Sequence, residues 1–175
     1  AGSTHPGEEE IILRVYKKLL GEFPTLKLLI APRHPERAKE IGSLVLKNDF
    51  NSLFISALSC PSSFVSRPSV FILDTIGQLK DFYAASDIVF VGGSLIKKGG
   101  QNILEPAAFA KPIVFGPHMF NFRDIAALFL KNEACITVKN EEELLSFITD
   151  LLRNPSKMST LGKRAQELIA TQQGA

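Results

Sequence analysis

Apolar residues follow two alternating rhythms along this chain. Short apolar runs at 26–31, 53–57, 70–73, 88–91, 113–115 and 135–138 read as buried strands. Between them, apolar residues recur three and four apart, the spacing of an amphipathic helix. The first helix is expected from 8 to about 21, with Ile11, Val15 and Leu19 in one row and Ile12, Tyr16 and Leu20 beside it. Others are expected at about 35–46, 78–85, 102–110, 121–130 and 141–152, and a last one follows Asn154-Pro155. Strand and helix alternate with no internal repeat. A doubly wound α/β domain of about six parallel strands is therefore predicted.

End signals support this layout. Glu8, Glu9 and Glu10 suit the positive end of the first helix, Lys17 and Lys18 its negative end, and Gly21 its stop. Pro35 fits the first turn of the second. Residues 59–68 are rich in serine and proline and read as an exposed loop. Residues 1–7 form a polar, glycine-bearing turn into the first helix. They look like a loop that follows a strand, so the chain is expected to start partway into a larger protein.

Composition narrows the classes. The length, 175 residues, suits one domain, and 45% are hydrophobic, enough for a full core. A net charge of +2 gives no electrostatic case for nucleic acid. There is no apolar run of about 18 residues such as a membrane span needs. Cys60 and Cys135 lie far apart and in no metal-binding spacing, which fits a reducing compartment.

Chemistry concentrates at 88–118. A strand there runs into the glycine-rich loop 92–100, then a short helix, then another strand. Such loops let the main chain approach a ligand, and the following helix offers free N–H groups to an anion. A phosphate or carboxylate is expected here. In a parallel sheet the strand ends share one edge, so residues 2–5, 32–34, 74–78, 92–102 and 116–118 can line one cleft. Arg33 is the best single cation for a two-bond grip on an anion, the alternative being a surface ion pair with Glu36. Asn102 and Glu105 match a helix-capping box, or else Glu105 accepts from a ribose diol. Pro106, so close behind, implies an unusual first turn. Gly77 opens a helix at a tight turn. Lys97 and Lys98 read more simply as solvated charges, whereas a merely exposed loop has little need of Gly99 and Gly100.

His5, His34 and His118 each follow a predicted strand end, as a three-histidine metal site would require. No HExxH, cysteine pair or nearby acidic partner supports one, so no metal is expected. Asp-x-Asp, the P-loop and the G-x-G-x-x-G fingerprint are all missing from the sequence.

Six stretches together resemble one family: residues 1–5 (AGSTH), 31–37 (APRHPER), 74–79 (DTIGQL), 90–95 (FVGGSL), 99–106 (GGQNILEP) and 115–118 (FGPH). They look like the C-terminal half of the 3-deoxy-D-manno-octulosonic acid (Kdo) transferases. The likeness spans nearly the whole chain and keeps the motif order. It implies the C-terminal, Rossmann-like domain of a GT-B glycosyltransferase, with residues 1–175 as the CMP-sugar donor domain. It places CMP contacts on Pro32 and Arg33, on Ile76, Gly77 and Gln78, and on Asn102, Ile103, Leu104 and Glu105, with Ser3 reaching the same site. It implies no metal or other cofactor, CMP-Kdo as donor and the lipid A precursor as acceptor, in lipopolysaccharide synthesis.

The resemblance also puts the catalytic base, acceptor surface and membrane anchor in an N-terminal half outside this chain. It implies that the whole enzyme works at the cytoplasmic face of the bacterial inner membrane, while this part is soluble and inactive alone. Two positions depart from the family pattern: Gln78 stands where the family usually has Glu, and Ile103 where it usually has Pro. Two other readings remain open, a UDP-sugar enzyme such as an epimerase and a non-catalytic nucleotide-binding module.

Overall fold

The computed structural model describes residues 1–57 and 69–173. The expected loop at 59–68 lies outside the described residues. The elements are, in order, β1 (Gly2–Thr4), α1 (Glu8–Leu19), β2 (Leu28–Pro32), α2 (Ala38–Lys47), β3 (Asn51–Phe54), β4 (Ser69–Ile72), α3 (Leu79–Ala85), β5 (Val89–Val91), α4 (Leu104–Ala108), β6 (Ile113–Phe115), α5 (Arg123–Lys131), β7 (Ile136–Thr137), α6 (Glu141–Arg153) and α7 (Pro155–Gln173). Single 3-10 turns at Pro35–Arg37 and Phe120–Phe122 lead into α2 and α5. The chain is thus a doubly wound α/β domain.

The sheet has seven strands rather than six, in the order β3-β4-β2-β1-β5-β6-β7, and every pairing is parallel. The added strand is β1. Residues 2–4 are not a loop after a strand but the central strand itself. They carry no apolar run because glycine is forced there: a Cβ on Gly2 would stand 2.2 Å from the Tyr83 hydroxyl. Ser3 then bulges, with φ 55, between the two registers that β1 makes with β2.

Three apolar clusters fill the layers. On one face of β5 and β6, Val89, Val91, Ile113 and Phe115 pack with Ile103, Ala107, Phe129 and Ala165. On the other, Phe90 and Val114 meet Ile12, Val15, Leu19 and Leu144. Ile30, Val70 and Ile72 pack under Leu13, Tyr16, Ile41 and Val45. The single-residue alternation along β5 is what splits these neighbours between the two faces. Among the described residues, no helix is long and apolar enough to cross a membrane.

Two boundaries moved for a physical reason. The helix expected at 102–110 starts at Leu104, which puts Pro106 at its third residue. A start at Asn102 would need an N–H on residue 106, and proline has none. Ala110, at φ 52, closes that turn.

Candidate functional site

The chain leaves β1 toward β2 on one side and returns across the sheet from β4 to β5 on the other. The carboxyl ends of β1 and β5 therefore form the switch point, the usual ligand crevice of an open parallel sheet. The candidate residues from the ends of β4, β2, β1 and β5 fall along this one edge, on four adjacent strands. At the end of β2, Pro32 is buried and Arg33 is exposed. The Arg33 N–H donates to the Thr4 carbonyl at 2.9 Å, which ties it to the end of β1. Glu36, its expected partner, instead lies 3.4 Å from His34 Nδ1.

After β4, the turn at 74–78 is held from within. The Ser56 N–H and hydroxyl both donate to the Asp74 carboxylate. Burial pushes the Asp74 pKa up, but these bonds outweigh it and hold the group below its usual value. The Thr75 hydroxyl donates to Gln78 Oε1, so this amide oxygen has an internal partner. Ile76 is 87% exposed. Gly77 has φ 89, a conformation that favours glycine, and nothing lies within 4 Å of a Cβ built on it.

The glycine-rich loop is the largest departure from expectation. Its N–H groups at 93–95 do not wait for an anion, because the chain supplies one. Glu8 is fully buried, and its carboxylate accepts from Gly93 at 2.7 Å, Ser94 at 2.9 Å and Leu95 at 3.0 Å. It also accepts from the His5 N–H at 3.1 Å. The Ser94 hydroxyl donates to the Val91 carbonyl and accepts from the Gly116 N–H at 2.8 Å, joining β5 to the turn after β6. Gly99 and Gly100 also answer to packing. A Cβ on either would stand 2.2 Å from Asn121 or from the Met119 sulfur. Nothing in the sequence marks Glu8 for this role, since it sits in an acidic run that suits any helix start. A buried place for it shows only in three dimensions.

On the far side of this loop, the Asn102 side chain accepts from the Leu104 N–H at 3.0 Å. Its amide lies 3.4 Å from Glu105 Oε1. Asn102 therefore caps the turn, while Glu105 stays exposed and does not complete the reciprocal box. Ile103 is fully buried in the core, main chain included, whereas Leu104 is 37% exposed. Burial drives the Tyr83 hydroxyl well above its usual pKa, and the charge of Glu105 adds to that while Ser3 opposes it.

His5 completes the edge. Its ring meets that of His34 edge-on at 6.0 Å, and burial followed by the charges of His34, Lys98, Arg37 and Arg33 lowers its pKa. Behind it, Glu9 is fully buried and pairs with Arg37 at 2.9 Å, and burial raises its pKa. Among the described residues, no group of three His, Cys, Asp or Glu side chains is placed to hold a metal ion.

An apolar cavity of about 360 Å³ lies elsewhere, at the amino ends of the strands. Ala1, Leu26, Leu28 and Ile88 line it, and of the cleft residues it meets only Tyr83. The Ala1 nitrogen donates to the Leu29 carbonyl beside it at 2.8 Å. With so few polar groups, this cavity has little to orient a nucleotide.

No family profile matches the chain. It is similar to a 3-deoxy-D-manno-octulosonic acid transferase of Haemophilus influenzae, 38% identical over the whole of this chain and 40% of the relative. A transferase of the same name from Rickettsia conorii is 39% identical, over 98% of this chain and 36% of the relative. The chain thus spans well under half the length of these curated relatives. Among solved structures, it is similar to the C-terminal CMP-Kdo binding domain of WaaA from Acinetobacter baumannii. That match has a TM-score of 0.87 and 31% identity, over 96% of this chain and 86% of the other.

Proposed function

This chain belongs to the 3-deoxy-D-manno-octulosonic acid transferase family, and from that membership we propose that residues 1–175 are its CMP-Kdo-binding donor domain. The observation that carries this is the match, across nearly the full length of both chains, to a domain described as CMP-Kdo binding. The arrangement of the cleft supports the same reading. Arg33 projects from the strand end with no acidic partner among the described residues, free to grip the CMP phosphate. The turn at Ile76, Gly77 and Gln78, beside Pro32, offers main chain and an amide to the base. Glu105 accepts from the ribose diol, and Asn102 sets the turn that carries Leu104 and Glu105 past the buried Ile103. Ser3 faces the same space from β1.

In the whole protein, a base outside this chain would take a proton from an acceptor hydroxyl. The hydroxyl oxygen would bond to the anomeric carbon, and the bond from that carbon to the phosphate oxygen would break, its electron pair leaving with CMP. Arg33 would stabilise that leaving group. The acceptor we propose is the lipid A precursor, at the cytoplasmic face of the inner membrane. Binding is proposed to need neither metal nor other cofactor, a reading supported by the lack of Asp-x-Asp. Alone, the domain is expected to bind CMP weakly and transfer nothing, since the base and acceptor surface would lie in an N-terminal half outside this chain.

Calorimetric titration with CMP and UMP, with and without magnesium, tests this. Metal-independent binding that favours CMP and is lost in a folded Glu105→Ala variant is the expected result. Preference for UMP would instead favour a UDP-sugar enzyme, and failure to bind CMP would overturn the reading.

A further inference from the structure

Arg33 stands between the end of β2 at Pro32 and the 3-10 turn Pro35–Arg37, and two anchors hold this segment. On the strand side, the Arg33 N–H donates to the Thr4 carbonyl at 2.9 Å. On the far side, the Arg37 N–H closes the turn onto the His34 carbonyl at 3.0 Å. The Arg37 side chain then reaches across to Glu9 Oε1 at 2.9 Å. Thr4 ends β1, and Glu9 lies in the first turn of α1. Both anchors of the Arg33 segment therefore belong to the one short stretch that joins β1 to α1.

The anchor at Glu9 is not a surface ion pair. Glu9 is fully buried, and the Arg37 side chain is only 16% exposed. The other partner of Arg37 is Glu40, whose side chain is 65% exposed three residues along the same turn. Water and salt screen such an exposed pair, so it holds little. The buried pair is screened far less, and the planar guanidinium fork fixes its direction. All three guanidinium nitrogens of Arg37 donate to carboxylates, so its side chain is committed within the protein. Glu8, one residue before Glu9, holds the N–H groups at 93–95. Two neighbouring carboxylates on α1 thus each hold one wall of the cleft.

We propose that Glu9 and Arg37 are positioning residues for Arg33: their buried ion pair fixes the 33–37 segment so that the Arg33 guanidinium is presented to the nucleotide phosphate. This rests on the CMP reading above, in which Arg33 grips that phosphate. Neither Glu9 nor Arg37 touches the nucleotide. Loss of the pair should weaken the phosphate contact and spare those to the base and ribose.

The test compares CMP with cytidine, which has the same base and ribose but no phosphate. Each is titrated into the chain and followed by NMR chemical shifts. The variant Glu9→Gln/Arg37→Met removes the pair, keeps an apolar stem at 37 and leaves no buried charge unpaired. It is expected to bind CMP about tenfold more weakly, the loss of one charge-assisted contact, and cytidine as the parent does. Added to Arg33→Ala, it should cost nothing beyond what Arg33→Ala costs alone. Glu40→Gln, which disturbs only the exposed pair, should keep the parent's CMP affinity. Where the pair variant does not fold, Arg37→Lys takes its place, since it leaves Glu9 a cation but no fork and should show the same selective loss. Unchanged CMP affinity, an equal loss for cytidine, or a loss that multiplies with that of Arg33→Ala overturns the positioning role and leaves the nucleotide reading standing. Failure of the parent chain to bind CMP overturns both.

Discussion

Replacing Glu8 with glutamine should cost more than any surface change of the same size. The native carboxylate satisfies four N–H groups, two on each oxygen. Glutamine keeps one oxygen and turns an NH2 group toward the other two donors. Each orphaned buried donor costs about 1–3 kcal/mol. With partial relaxation of the loop, we expect a loss of about 3–4 kcal/mol, a large share of the roughly 5–15 kcal/mol typical of a domain. At about 2–4 °C per kcal/mol for a chain of this size, Tm should fall by roughly 10 °C. Urea unfolding followed by circular dichroism reads the loss directly. The control is Glu10→Gln, since among the described residues Glu10 accepts only from the Gly7 N–H, and glutamine can do the same. A loss below about 1 kcal/mol, or one equal to the control's, would refute the idea that Glu8 holds the loop.

Three further outcomes follow from packing and charge. Gly162→Ala should destabilise, although alanine in a helix normally gains about 1 kcal/mol over glycine, because its Cβ would stand 1.9 Å from the Ala110 carbonyl; a raised urea midpoint would contradict the contact. Lys18 and Arg14 hold the Glu141 pKa below its usual value, so its stabilisation is present at neutral pH and lost as pH falls through the carboxylate range. Glu141→Gln should flatten that acid loss in urea midpoints taken across the range, whereas Glu9, raised by burial, acts with the opposite sign. The buried Cys135 thiol is pushed up to about 12, so in a Cys60→Ser background it should resist alkylation at pH 8 until urea unfolds the chain. Rapid labelling of the native protein would contradict that burial.

The sheet's outer strands were legible because each carries its own apolar run. The central strand was not, because Gly2-Ser3-Thr4 owes its strand geometry to neighbours on both sides and to the ring of Tyr83. The strand-end loops could be located from the sequence, since topology places them whatever their composition. What the individual glycines do was harder to read. Those at 99 and 100 looked like ligand contacts, yet they make room for Asn121 and Met119, residues some 20 positions away. Glu8 and Glu9 looked like helix-end charges because periodicity cannot distinguish a solvated carboxylate from one enclosed by main-chain donors.

The glycine-rich loop is fastened at both ends. Residues 93–95 are held by Glu8. At the other end, the Gly100 N–H donates to the Gly93 carbonyl at 2.8 Å, and Asn121 bonds to both Gly99 and Lys98. Such a loop cannot open and shut like a flap. Its amides at 93–95 and 100 should exchange slowly with deuterium even without ligand. A nucleotide arriving at the cleft would meet a finished wall, and its association would not wait on that wall rearranging.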